Sequence, residues 1–324
     1  MKFIVTGGAG FIGHNVVRQL EAQGHQCFII DKCTTYGFVP KEELNYLKNE
    51  RKKRIHGNVH HIDLRDHKAI SNFFLSFGNR VDAVIHLASF PRQKVVSANP
   101  VWGSEVMSTG LIHLLEETRK NNIPKFVYIS SSMVYGDFDN DVKESYNCNP
   151  QGQYGIMKLA GEWLVKDYAR KTGMEYVIIR PSAVYGPLDV EDRVVAKFML
   201  GAMRGHRLRV NGAGETLDFT YVDDIVEGVI KVLLYPPAER PTPPVRIFNL
   251  GHNRPVETLL FVRMLEQLLG KTARTELLPA QPGDMFETCA DLTRIRSAIN
   301  FSPRVSLEEG LRRFVAWFRE YYRL

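Results

Sequence analysis

The first half of the chain alternates short, continuously apolar, β-branched runs with longer stretches of helical periodicity. KFIVT (2–6), QCFII (26–30), VDAVIHLA (81–88), KFVYIS (125–130) and EYVIIR (175–180) read as strands. Between them, 12–25, 67–77, 103–121 and 153–172 place apolar residues at helical spacing. Continuous apolar runs belong to strands covered on both faces, and strands separated by helices imply a parallel sheet. The expected fold is therefore α/β, a doubly wound parallel sheet. The pattern loosens after Pro181. Helices are predicted near 193–204, 222–235, 256–269 and 306–322, with a strand at VRIFNL (245–250). A Gly-rich turn (NGAGE, 211–215) and a Pro-rich loop (236–244) separate them. These residues are expected to form a smaller C-terminal lobe on the sheet's ligand-binding edge, with some segments returning to the main sheet. No internal repeat is visible.

Composition narrows the class. The 324 residues can build one large domain or two lobes, and 44% hydrophobic with 24% charged residues is ordinary for a globular protein. No apolar run approaches the roughly 18–20 residues that span a bilayer. The N-terminal MKFIVTGGAGFIG has one lysine followed by glycines and no cleavage site, so it reads as a buried strand running into a turn rather than a secretory signal. Cys27, Cys33, Cys148 and Cys289 show no CxxC spacing, so reduced thiols in a cytoplasmic enzyme are expected. The net charge of +6 suits an anionic small molecule. The basic run RKKR (51–54) has no interleaved aromatics and reads as a solvated loop, not a nucleic-acid patch. The terminal SLEEGLRRFVAWFREYYRL is amphipathic and basic, and it reads as a helix packed on the domain rather than on a membrane. His56, His60, His61 and His67 lack the spacing of a metal site.

Gly7, Gly10 and Gly13 in TGGAGFIG lie between the first strand and the first helix. A tight turn, close backbone approach to a diphosphate and helix packing near the strand each need a residue without Cβ. The helix start, with Phe11 and Ile12, presents free N–H groups to an anion. The second strand ends at Asp31, where an acid accepts from adenosine ribose hydroxyls. A carboxylate there repels a 2′-phosphate, which favours NAD over NADP, although Lys32 beside it works the other way. Asp63, followed by Leu64 in HIDLRD, is placed to meet the adenine edge. His86, Leu87, Ala88 and Ser89 close the fourth strand, where the carboxyl ends of doubly wound strands face the ligand.

SSSMVYG (130–136) follows the fifth strand, so its hydroxyls belong to the same edge. Tyr154 and Lys158 open the next helix one turn apart. A phenol with a pKa of about 10 is a poor base at neutral pH. A neighbouring ammonium and an oxidised nicotinamide favour the phenolate. Tyr154 can then take a proton from a sugar hydroxyl while hydride passes to the nicotinamide, with Ser131 holding the oxygen and Lys158 also reaching the nicotinamide ribose.

TGGAGFIG, HLAS, SSSMVYG, YGIMK, RPSAVYGP, DFTYVDD and FNLG occur in the order of the extended short-chain dehydrogenase/reductase family. The chain resembles its NAD-dependent nucleotide-sugar epimerases and dehydratases over essentially its whole length. The resemblance implies a Rossmann-type NAD-binding domain at 1–180 and a mainly substrate-binding lobe at 181–324. It implies catalytic roles for Ser131, Tyr154 and Lys158 and cofactor contacts that extend to Pro181. Substrate contacts are expected from Ser131, Ser132, Met133, Ala183, Arg193 and Lys197. A homodimer through the helices near 103–121 and 153–172 is also implied, with no nucleic-acid or membrane partner.

The sequence departs from that family at several positions. Ala183 replaces a common asparagine, Met107 another, and Leu217 and Gln281 stand where arginines usually hold the diphosphate. Two charge-assisted hydrogen bonds at roughly 1.5–3 kcal/mol each amount to about two to four decades of affinity. Arg193, Lys197, Arg207 and Arg209 are the candidate replacements. Sugar 4,6-dehydratases of this family carry Asp-Glu where Ser132 and Met133 stand here. Methionine cannot shuttle a proton, so elimination is disfavoured and epimerisation at C4 through a 4-keto intermediate is expected. A reductase with exchangeable cofactor, detectable as a stoichiometric change in NADH absorbance, is the alternative within the class. A non-catalytic NAD-binding sensor or scaffold is the alternative outside it, and would be indifferent to Tyr154→Phe.

Overall fold

The computed structural model describes residues 1–34, 40–76, 81–136, 141–190, 194–211, 214, 216–235, 246–279 and 289–322. Its centre is a seven-stranded sheet among the described residues. The strands are β1 (Lys2–Thr6), β2 (Gln26–Ile30), β3 (Val59–His60), β4 (Ala83–His86), β5 (Lys125–Ile129), β6 (Glu175–Pro181) and β7 (Ile247–Leu250). They lie in the order β7-β6-β5-β4-β1-β2-β3, with every pairing parallel. The order reverses between β1 and β4, the crevice where doubly wound sheets bind ligands.

The apolar runs are continuous because both faces are covered. Phe3, Val5, Ile29, Ile85, Val127 and Ile179 enter one core, which also holds Val16, Val17 and Leu20 of the Phe11–Ala22 helix. Their alternates Ile4, Ile30, Val84, Phe126, Tyr128 and Ile178 enter the other, with Leu111, Leu114 and Val165. A period of two thus sorts residues between two cores rather than between core and water.

Two segments from the second half return to this scaffold. β7 pairs with β6, and the Val222–Leu234 helix supplies Val226, Val229 and Val232 to the first core. The buried Lys125 ties that helix down, donating to Leu233 O at 2.7 Å, so a cation meets the helix's carbonyl end. Other segments of the second half form short sheets of their own: Arg207–Asn211 pairs with Arg274–Leu278, and Thr216–Leu217 with Val256–Glu257. The Leu307–Tyr322 helix packs into the first core through Leu311, Phe314 and Phe318.

Several expectations need correction. The polar stretch before RKKR folds as a helix, Lys41–Lys52, and Arg51 is buried rather than solvated. Its Nε donates to Leu188 O at 3.1 Å. Leu44 and Leu47 anchor this helix, too few apolar residues to show a periodicity in so charged a segment. The helix predicted at 103–121 is interrupted: Pro100–Ser104 is helical, Glu105–Thr109 widens into a π turn, and Gly110–Lys120 resumes. The loop at 236–244 and most of the turn at 211–215 lie outside the described residues.

Gly161 marks the closest approach of the Gln153–Thr172 helix to the sheet. A Cβ there would fall 2.2 Å from the hydroxyl of Tyr128, whose ring is fully buried. Gly161→Ala is expected to destabilise the fold by about 1–3 kcal/mol, read as a lower urea midpoint with unchanged slope.

Candidate active site

The carboxyl ends of β1, β2, β4, β5 and β6 bring most of the predicted residues to one edge. After β1 the chain turns at Gly7, which has φ +72, and a Cβ on it would meet Ala88 N at 2.6 Å. A Cβ on Gly13 would lie 2.0 Å from Gly7 O. The turn is therefore closed to any side chain at these positions. The helix begins at Phe11 with Gly10 as its N-cap, and no side chain caps it. Its first amides are left to an anion. This cradle fits a dinucleotide diphosphate. Leu87, Ala88 and Ser89 follow β4 as the opposite wall, and Leu87 N bonds Thr6 O at 3.0 Å.

Just beyond β2 the carboxylate of Asp31 accepts from Ala9 N at 3.0 Å and Cys33 N at 2.7 Å. These bonds aim it across the end of the glycine turn. Lys32 and Asp63 behave differently from expectation. Lys32 Nζ lies 2.5 Å from Asp63 Oδ2, joining the loops after β2 and β3. Arg65 bonds the same carboxylate at 2.8 Å and Glu105 at 2.8 Å. Partial burial works to raise the Asp63 pKa, but the bonds from Arg65 and Lys32 outweigh it and hold the carboxyl well below its usual range. Asp63 is thus already engaged by cations, with Trp102 beside Lys32 and Arg65. Leu64 is buried behind them.

Across the crevice Ser131 lies two residues beyond β5, at the start of the Ser132–Val134 turn. Its hydroxyl oxygen accepts from Met133 N at 3.2 Å, which leaves its proton for another acceptor. The Gln153–Thr172 helix starts against this turn, because a Cβ on Gly155 would come within 2.6 Å of Met133 O. Ser131, Ser132, Met133, Tyr154 and Lys158 are brought together by that contact. Lys158 is buried and donates to Ile129 O at 2.8 Å. Its Nζ sits 5.9 Å from the centre of the Tyr154 ring and 5.4 Å from that of Tyr128. Burial draws its pKa down to about 7, while Glu162 pulls it up. Burial, then Lys158, lowers His86 to about 3, so this imidazole is neutral and bonds Thr6 at 2.7 Å.

The face that this helix turns to the sheet carries Gly155, Lys158, Leu159, Gly161, Glu162, Val165 and Ala169. Two of these are charged and three are tiny, so amphipathic patterning gives little sign of the packing. Glu162, fully buried, is the residue that sequence reasoning missed. It accepts from Ser130 at 2.7 Å and is forked by Arg180 at 2.9 and 2.7 Å. Arg180 lies 4.7 Å from the centre of the Tyr135 ring, and Tyr135 donates to Asn249 at 2.6 Å. The network links the Gln153–Thr172 helix, the serine turn, β6 and β7. Its helical spacing of four from Lys158 was the available signal.

The expected substrate contacts are scattered. Ala183 and Leu217 are half-buried and pack against the core, and Lys197 is exposed on its helix. Arg193 and Gln281 lie outside the described residues. Arg207 and Arg209 are exposed, 4.0 and 3.6 Å from Glu276. Met107 is buried with Phe90, Val95 and Val96, and Tyr154 packs on this cluster. Pro181 ends β6 opposite Leu250. No group of three metal-ligating side chains and no helix long and apolar enough to cross a membrane occurs among the described residues.

Two outcomes follow. Glu162→Gln leaves the Arg180 charge buried and unpaired, and should lower stability by about 3–5 kcal/mol; replacing both with apolar residues should recover most of it in chemical denaturation. Lys158 has a folded pKa of about 7 against 10.5 ordinarily. Between these values the unfolded chain binds more protons than the folded one, so stability rises with pH across this window. Lys158→Met should flatten that rise in the cofactor-free protein, measured as denaturation midpoints from pH 7 to 10.

Comparison with known proteins agrees with this geometry. The model of the NAD dependent epimerase/dehydratase family matches residues 3–251. UDP-glucuronate 4-epimerase of Thermodesulfobacterium geofontis is 30% identical, covering 98% of this chain and 96% of its own. Protein CapI of Staphylococcus aureus is 30% identical with both chains covered completely. Among solved structures, UDP-glucuronic acid 4-epimerase from Bacillus cereus, in complex with UDP-glucuronic acid and NAD, superposes with a TM-score of 0.89 at 27% identity. That match covers 99% of this chain and all of the other. UDP-glucose 4-epimerase from Thermotoga maritima, with UDP-glucose, gives 0.87 at 26% identity over 99% and 100% of the two chains. With this matching span and a cradle that fits a dinucleotide, the chain belongs to the NAD dependent epimerase/dehydratase family.

Proposed function

We propose that this protein is an NAD-dependent nucleotide-sugar epimerase that inverts C4 through a 4-keto sugar, with a UDP-hexose or a derivative as substrate. The observation that carries the reading is the junction between the Ser131 turn and the helix start bearing Tyr154 and Lys158, at the same sheet edge as the glycine cradle. The amides at Phe11, Ile12 and Gly13 would hold the diphosphate, Gly10 N being bonded to Gly7 O within the turn, and Asp31 would hold the adenosine ribose. Leu87, Ala88, Ser89 and Pro181 would border the nicotinamide end. Bound there, NAD supplies reversible hydride acceptance from the sugar's C4.

The chain's own part is proton handling. Tyr154 takes the proton of the 4-hydroxyl and later returns it. An ammonium beside a phenol favours the phenolate, and Lys158 stands in that relation to Tyr154. The bond from Lys158 to Ile129 O fixes the ammonium while leaving its other protons for a ribose hydroxyl. Ser131 donates its proton to the sugar oxygen, stabilising the developing carbonyl. Ser132 and Met133 offer no acid–base pair for eliminating water, which supports epimerisation over dehydration.

The relatives' substrates, UDP-glucose and UDP-glucuronic acid, support a UDP-sugar. Exposed Ile112, Ile156 and Trp163 on the Gly110–Lys120 and Gln153–Thr172 helices support a homodimer through those helices. The four unpaired cysteines support a cytoplasmic enzyme.

Purified protein is expected to carry NAD and to interconvert C4 epimers of UDP-hexoses with no added cofactor. Tyr154→Phe should lower kcat by about 10²–10⁴-fold while NAD is retained. No turnover of the parent protein across UDP-, GDP-, CDP- and dTDP-sugars would sink the reading.

A further inference from the structure

The helix that carries Tyr154 begins at Gly152, a residue with φ +85 that has no side chain to cap the exposed amides. The cap comes from elsewhere in the chain. Gln93, first residue of the Gln93–Ala98 helix, accepts from Tyr154 N at 2.8 Å through its side-chain Oε1. Its other end is also fixed, with Nε2 donating to Ser97 Oγ at 2.9 Å. Gln93 closes tightly over the helix start: a Cβ on Gly152 would lie 2.4 Å from its Nε2. Val95 and Val96 of the same short helix join Phe90 and Met107 in the apolar cluster on which Tyr154 packs. One short segment therefore holds the tyrosine both by its backbone amide and through the apolar cluster. That segment continues from Ala88, which abuts Gly7 in the dinucleotide turn.

We propose that Gln93 is a positioning residue for Tyr154, its side-chain amide capping the proton-transfer helix from a separate element and so setting where the phenol meets the substrate. The role rests on the epimerase reading for its catalytic consequence and on the cap geometry for its structural one. Misplacing a reacting group by about 1 Å can lower a rate about a hundredfold without weakening binding. The side-chain bonds of Gln93 go to Tyr154 N and Ser97 Oγ, so the loss of a positioning role falls on kcat.

The test uses the full-length protein with its NAD, in three forms: the parent, Gln93→Met and Gln93→Glu. Methionine keeps the length of the side chain and removes the acceptor; glutamate keeps the acceptor. Each is assayed at its own pH optimum, and hydrogen exchange is followed at the Tyr154 amide. The expected result for Gln93→Met is faster exchange confined to the start of the Gln153–Thr172 helix, with kcat down about tenfold to a hundredfold and KM within about twofold. Gln93→Glu should restore protection and most of kcat. Unchanged kcat in Gln93→Met despite lost protection overturns the positioning role. Unchanged protection overturns the cap itself. A loss spread over the whole chain that glutamate does not repair would make Gln93 a residue of the fold and also overturn it. If the parent protein turns over no nucleotide sugar, the epimerase reading falls separately, and the exchange result still decides the cap.

Discussion

A carboxylate shut off from water holds the helix bearing Tyr154 and Lys158 in place. Glu162 accepts from the Ser130 hydroxyl and from Nε and Nη2 of Arg180, so one side chain joins the helix bearing Tyr154 to the serine turn and to β6. Removing two charges from water is expensive, and the arrangement persists because each oxygen is satisfied by good geometry. The same carboxylate opposes the burial that would strip Lys158 of its proton. Helix position and ammonium charge, the two conditions for a phenol to act as a base, therefore share one support.

The small residues on that helix serve the same end. Gly155 and Gly161 let it approach the turn at Met133 and the ring of Tyr128, distances that no Cβ would tolerate. Close approach in turn brings Lys158 to the carbonyl of Ile129 at the end of β5. Sequence, packing and chemistry connect here through absent atoms as much as through present ones.

The sheet was legible because strands buried on both faces must be continuously apolar, and the glycine cradle because its spacing has a mechanical cause. Tyr154, Lys158 and Ser131 were singled out through their register with that sheet, and they lie at its carboxyl edge. Other parts lay beyond sequence reasoning for physical reasons. The Lys41–Lys52 helix buries Arg51 in a run that looks like a solvated surface, since its partner, Leu188 O, is far away in sequence. Gln93 carries no sequence signal, because its significance comes from a backbone amide sixty-one residues away. Asp63 was placed at the right edge, but its engagement by Lys32 and Arg65 depends on how two loops meet. The second half was least legible: short strands and exposed arginines leave a weak pattern, and apolar Leu217 occupies a position where the family resemblance led one to expect a cation.

In the proposed epimerisation a hydride leaves C4 and returns to it, and Tyr154 moves only the hydroxyl proton. The most direct test is a UDP-hexose carrying deuterium at C4, incubated with the purified protein and no added cofactor in ordinary water, with the product examined by NMR and mass spectrometry. The account predicts the 4-epimer with its deuterium retained at C4. A 4-epimer that has lost the label to solvent would contradict it, because the inversion would then proceed by proton exchange rather than by hydride return.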